Sequence, residues 1–255
     1  MNQHGMNQHG MNQHGMNQHG MNQHGMNQQS IDRAQFLLER NAADDRRPTD
    51  FRLLDLDWTL LDGVFSPIDT PVTGLFTSWI PFPTTSFLEV GCGAGITAVS
   101  AALAGCLAVT ASDINPAAVE NTRVNAARHG VSERVRVVLS DMFAALEPDD
   151  RYDMIFWNSN FVEVPDDRDN ATPLHHAFFD PGYRAHRAFL QQAPRHLTPG
   201  GRLLLGFSDL GSHDKLHRLC HDVGLCVSTL RSLRRDLEVP VTFQLLELTP
   251  DLVRA

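Results

Sequence analysis

The sequence holds no run of about 18 consecutive apolar residues, the length that a membrane-crossing helix needs, so neither a transmembrane span nor a membrane partner is expected. Its N-terminus has no basic segment leading into an apolar core, so no signal peptide is expected and a cytoplasmic location follows. Cys92, Cys106, Cys220 and Cys226 form no CxxC pair. Cys220 and Cys226 stand near each other in the chain, but buried thiols in a reducing cytosol are the expectation. No His/Cys zinc pattern stands out, and no Ser/His/Asp triad, so no metal ligand is assigned. Basic excess is missing too. The net charge of −9 argues against tight binding to a phosphate backbone, and the expectation is no nucleic-acid partner.

What is present begins with a repeat. MNQHG occurs five times over residues 1–25, and the tract 1–29 carries no charge and no apolar face. Such a segment cannot recover its ordering entropy by burial, so it is expected to be disordered. Its histidines suit a metal-affinity tag, and a slipped repeat without a role is the alternative. A second segment, 30–83, reads as a short amphipathic helix (Ile31–Arg40), a polar link (Asn41–Asp50) and a strand-like stretch from Phe51. A turn at Asp62-Gly63 and a helix over Thr70–Ile80 follow, stopped by "PFP". This segment is expected to cover the active site of the third, 84–255.

In that third segment short apolar runs alternate with helical patterns. The strands expected are Ser86–Val90, Leu107–Ala111, Val135–Leu139, Tyr152–Trp157, Arg202–Phe207, Leu225–Arg231 and Val241–Leu248. Helices are expected over Ala94–Ala104, Pro116–His129, Gly182–His196 and Ser212–Val223, with Asn115-Pro116 as a cap followed by a first-turn proline. Strands separated by helices imply an α/β, Rossmann-like, doubly wound sheet of seven mostly parallel strands. No helix separates the last two, so the final strand is expected to run backwards.

The decisive stretch is "EVGCGAG", Glu89–Gly95, where an apolar strand becomes a helix. Gly91 permits a sharp turn, Gly93 a close approach of backbone to ligand, and Gly95 close packing of helix on strand. One βα unit later "SDINP" places Asp113 at the end of the second strand, where a carboxylate can accept hydrogen bonds from two ribose hydroxyls. The acidic residue before the glycines separates two ligand classes. Glu89 would repel a pyrophosphate but can balance an ammonium group.

With these motifs the sequence resembles the class I S-adenosylmethionine-dependent methyltransferases over about residues 84–248. The resemblance implies S-adenosylmethionine as cofactor, with Gly91, Gly93 and Gly95 along its methionine and ribose portion and Glu89 near its amino group. Asp113 would hold the ribose and Ile114 pack on adenine. "LSDMF" would bring Asp141 to the adenine amino group and Met142 to the ring. For Asp141 a helix N-cap is the alternative, and for Glu89 mere solvation of a strand end.

The fourth strand ends in Asn158-Ser159-Asn160-Phe161, where one branch of the family, including the release-factor glutamine methyltransferases, holds Asn-Pro-Pro-Tyr. The resemblance implies that Asn158 orients the methyl acceptor and Phe161 packs on it; both prolines are replaced. An Asx turn is the alternative for Asn158. Asn160 is a further candidate contact. In the insertion that follows, Tyr183 is expected to close over the sulfonium, or else to pack at a helix start. Ser208, at the end of the fifth strand, is expected to hydrogen-bond substrate. These residues suggest methyl transfer to a small polar or amino-acid-like acceptor. Alternatives are closure of the methionine chain to azetidine-2-carboxylate with release of methylthioadenosine, methylation of a protein glutamine, and a non-catalytic cofactor-binding regulator. The sequence leaves oligomeric state unassigned.

Overall fold

The computed structural model describes residues 28–43, 47–237 and 240–251, so all but the last two residues of the 1–29 tract lie outside the described residues. Those two, Gln28 and Gln29, are already helical: helix α1 covers 28–42. Strands β1 (Thr49–Leu53) and β2 (Leu56–Leu60) form an antiparallel hairpin. The expected single strand-like stretch is thus two strands. Their turn, Leu54-Asp55, has positive φ at both positions (53° and 60°), which suits a two-residue hairpin but carries no glycine to announce it. Helix α2 follows at Val72–Trp79.

The main sheet is built from β3 (Ser86–Val90), β4 (Ala108–Asp113), β5 (Val135–Leu139), β6 (Tyr152–Asn158), β9 (Leu197–Ser208), β10 (Leu225–Arg235) and β11 (Val241–Pro250). Between β6 and β9 a small parallel pair intervenes, β7 (Val162–Val164) with β8 (Phe179–Pro181). The order across the sheet is β10-β11-β9-β6-β3-β4-β5. Strands β3, β4, β5, β6 and β9 run parallel, while β11 is antiparallel to both neighbours, the reversed final strand that was expected.

The central strands β3, β6 and the second half of β9 are buried on both faces and read as near-continuous apolar runs rather than alternating ones, whereas the edge strand β10 is mostly exposed. Neighbouring residues still diverge: Phe87, Phe156, Leu204 and Leu245 enter one core, and Leu88, Ile155, Leu205 and Leu246 the other. Helices α2, α3 (Ile96–Leu103) and α4 (Pro116–Arg128) contribute to the first; α5 (Arg184–Gln192) and α6 (His213–Asp222) cover the second. Local chemistry sets the helix starts. The Asn115 side chain accepts from the Ala117 N–H, Ser212 from the Lys215 N–H, and Asp180 from the N–H groups of Ala185 and His186.

The β1–β2 hairpin is held to α4 by two fully buried asparagines one turn apart. Asn121 accepts from the Leu61 N–H (2.8 Å) and donates to the Thr59 carbonyl (2.7 Å). Asn125 accepts from the Thr59 N–H (2.9 Å) and donates to the carbonyls of Thr59 and Ala94 (2.8 Å each). A third, smaller core joins Ala34 and Leu38 of α1 to Val162, Val164, Leu174, Phe178 and Phe179. It roofs the carboxyl ends of the central strands.

Candidate active site

A cavity of about 220 Å³ lies at the carboxyl ends of β3, β4 and β6, under that roof. Gly91, Gly93, Glu89, Asp113, Ile114, Asp141, Met142, Asn158, Asn160 and Phe161 all reach its wall. The glycine turn is built on left-handed backbone: φ is +67° at Gly91, +53° at Gly93 and +79° at Gly95. A Cβ on Gly93 would meet nothing within 4 Å, so its backbone stands open to the cavity. Gly95 differs from expectation. A Cβ there would lie 2.9 Å from the Thr122 side chain, so this glycine is needed for α3 to pack on α4 and does not reach the wall.

The acids are tied into the turn. Asp113 accepts from the Gly93 N–H through one oxygen and from the Asn115 N–H through the other, both at 2.9 Å, and each oxygen keeps a second lone pair. Burial raises its pKa, opposed by those backbone donors. Glu89 is buried and accepts from the Ala98 N–H (2.8 Å), which satisfies one orphan donor of the α3 N-terminus. Burial pushes its carboxyl up to about 8, against the pull of the Thr97 and Ala98 donors. Strand-end solvation is therefore ruled out for Glu89. Asp141 is exposed on the wall, and residues 141–146 form turns rather than a helix, so the N-cap alternative falls too.

The loop after β6 is braced by hydrogen bonds. Ser159 Oγ donates to the Gly206 carbonyl (2.8 Å), and Asn160 Nδ2 donates to the carbonyls of His176 and Phe179 (2.9 Å each). Asn158 is half-buried on the wall, and its amide has no hydrogen-bond partner among the described residues. It closes no Asx turn.

Two expected site residues lie elsewhere. Tyr183 is completely buried; its hydroxyl donates to the Phe161 carbonyl and accepts from the Ser212 N–H, both at 2.8 Å. Its left-handed backbone (φ 57°) at the start of α5 turns the ring inward against His186, away from any sulfonium. Ser208 is likewise fully buried, and its Oγ accepts from the Leu210 N–H (3.2 Å) as a turn-forming contact. Conversely, several wall residues escaped the sequence reading: Trp157, Pro71, Phe243 and the α1 residues Arg33 and Leu37. The helical period of α1 was visible, but what its apolar face covers is a tertiary fact.

The family model of the methyltransferase small domain matches residues 56–229. The chain belongs to that family. The cradle suits S-adenosylmethionine, with open backbone at Gly93 and three carboxylates on the wall. The release factor glutamine methyltransferase of Cereibacter sphaeroides is 35% identical over 150 residues, 52% of this chain and 50% of that one. The ribosomal RNA small subunit methyltransferase C of Serratia proteamaculans is 28% identical over 180 residues, 65% of this chain and 47% of that one. In three dimensions the 16S rRNA N2 G1207 methyltransferase of T. thermophilus, in complex with AdoMet and guanosine, superposes with a TM-score of 0.58 at 20% identity, covering 80% of this chain and 50% of that one. The fold is shared. The chain spans about half the length of the curated relatives it matches. Those relatives are named for protein and RNA acceptors, which overturns the expectation of a small-molecule acceptor with nucleic acid excluded. Net charge misled there, because it averages over the molecule and says nothing of the cavity mouth.

Proposed function

We propose that this methyltransferase transfers a methyl group from S-adenosylmethionine to the side-chain amide nitrogen of a protein glutamine. The observation that carries the reading is the Asn158 amide, left without a partner on the cavity wall beside the glycine turn. Its carbonyl oxygen can accept one acceptor N–H and so aim the nitrogen lone pair at the methyl carbon. Phe161, beside it on the wall, would pack against the planar amide. The likeness to a glutamine methyltransferase supports the same acceptor. Loss of the two prolines does not count against it. Ser159 and Asn160 fix the loop through three side-chain hydrogen bonds, doing by bonding what proline does by ring closure.

The cofactor, when bound, supplies a methyl group already activated by its sulfonium. The chain's own task is positioning and exclusion of water. Glu89 would face the cofactor's ammonium group, Asp113 the ribose hydroxyls, and Ile114, Asp141 and Met142 the adenine. Asn158 would hold the acceptor nitrogen toward the methyl group that the cofactor supplies, so that a nitrogen–carbon bond could form as the sulfur–methyl bond breaks, with the amide proton passing to water. The test is Asn158→Ala assayed with a glutamine-bearing peptide. The expected result is a fall in kcat of about a hundredfold, the scale of losing one positioned contact, with cofactor affinity within twofold of wild type. Unchanged turnover would show the loop to be merely structural.

A further inference from the structure

We propose that Arg33, on helix α1, binds the carboxylate of the methionine part of S-adenosylmethionine and thereby holds that helix over the cofactor. The inference deepens the cofactor reading above and rests on it. It begins from charge. The methionine end of this cofactor carries an ammonium group and a carboxylate. The acids of the wall, Glu89, Asp113 and Asp141, can answer the first but repel the second. Among the described residues Arg33 is the one lysine or arginine on the wall.

Arg33 is also free to act. It is half-buried, yet no hydrogen bond or ion pair engages it among the described residues. Its neighbours in the roof are engaged: Arg40 pairs with Asp69 (3.2 Å), and Arg168 donates to Gln35 (3.1 Å) with its guanidinium 4.2 Å over the Phe179 ring. A guanidinium partly withdrawn from water without an anion is costly, and an arriving carboxylate removes that cost with a charge-assisted, two-pronged hydrogen bond.

Position agrees with charge. Ser30, Arg33, Ala34 and Leu37 reach the wall from one helical face, at the i, i+3, i+4, i+7 spacing. That helix packs on Val162 and Val164 of β7, which leads straight out of the Asn158–Phe161 loop. It therefore sits on the β6 side of the glycine turn. The Ile114, Asp141 and Met142 end of the cavity lies on the opposite side, at the ends of β4 and β5. Helix α1 also precedes residue 56, where the family match begins, so this contact is an addition to the shared domain.

The experiment is titration calorimetry at pH 8.5 with two ligands, S-adenosylmethionine and its decarboxylated form, which keeps the ammonium group and lacks the carboxylate. Wild type is expected to prefer the intact cofactor by about tenfold or more, the usual worth of a hydrogen bond between charged groups. Arg33→Gln should lose that preference by weakening the intact cofactor alone, leaving the decarboxylated ligand within twofold. Arg33→Lys should fall between, and it decides the matter if Arg33→Gln does not fold. Hydrogen exchange across 28–42 should slow on addition of cofactor in wild type and not in Arg33→Gln. Equal loss for both ligands, or loss for neither, overturns the proposal. So does an intact cofactor affinity with a raised KM for peptide, which would make Arg33 a reader of the acceptor. If wild type binds neither ligand, the cofactor reading itself fails, an outcome separate from the others.

Discussion

Glu89 serves the fold at the start of α3 and stands on the cavity wall where the proposed cofactor would lie. Its carboxyl caps α3, but burial pushes it up to about 8, so near neutral pH the empty site holds it mostly protonated. An unfolded glutamate titrates near 4.5. Between those values the folded chain binds a proton that the unfolded chain has released, so the contribution of Glu89 to stability is full below about 4.5 and declines as pH rises toward about 8. With Glu89 facing the cofactor's ammonium group as proposed, cofactor binding runs the other way, because that group would need the carboxylate. Affinity for S-adenosylmethionine should therefore strengthen from pH 6 to about 8 and level off above, with a proton released on binding near pH 7. Calorimetry in buffers of different ionisation enthalpy measures this; Glu89→Gln should bind more weakly and show no such slope. An equal slope in Glu89→Gln would move the titrating group elsewhere. At this scale the glycine turn was readable from sequence, since left-handed backbone at Gly91, Gly93 and Gly95 demands that residue type. Tyr183 and Ser208 were not. One left-handed residue and a local turn took their polar groups to backbone partners, and nothing in the residue types announces that.

Among the elements, the expected helices and main-sheet strands were visible because fully apolar runs, caps and proline or glycine stops mark them. The hairpin β1–β2 was half visible, for its turn is Leu54-Asp55 instead of an Asn-Gly pair. The β7–β8 pair was invisible, being three residues a side and paired across an insertion. What ties the hairpin down is equally silent in sequence: Asn121 and Asn125 look like surface residues of an amphipathic helix. Asn125→Ala deletes three hydrogen bonds and leaves the Thr59 N–H and the Ala94 carbonyl without this partner. The expected loss is about 2–4 kcal/mol, one or two unsatisfied buried groups' worth, read from the midpoint of urea unfolding. A loss below about 0.5 kcal/mol, the scale of an ordinary surface substitution, would mean the hairpin is held by its apolar contacts alone. A second element-scale expectation concerns Gly206 on β9, where a Cβ would come within 2.7 Å of the Phe76 ring. Gly206→Val should lower thermal stability, whereas Phe76→Leu in the same chain should restore part of it; no rescue would place the strain in the strand backbone.

At the scale of the whole molecule the chain is a seven-stranded sheet whose cavity is roofed by the β7–β8 insertion together with helix α1. The glycine turn and strands β3, β4, β5, β6 and β9 fall inside the family match over 56–229, β10 straddles its end, and β11 and helix α1 lie outside it yet contribute to the same cavity. Cofactor class was therefore legible in the motifs, while the acceptor was not: the roof and the loop after β6 that close the cavity meet only in the tertiary structure. The measurement to make first is mass spectrometry of purified chain incubated with S-adenosylmethionine, with and without a glutamine-bearing peptide. The predicted result is S-adenosylhomocysteine only when peptide is present, with one methyl group added at the glutamine amide. Methylthioadenosine in the absence of any acceptor would contradict it, since the cofactor would then be closing on its own amino group, and glutamine would not be the nucleophile.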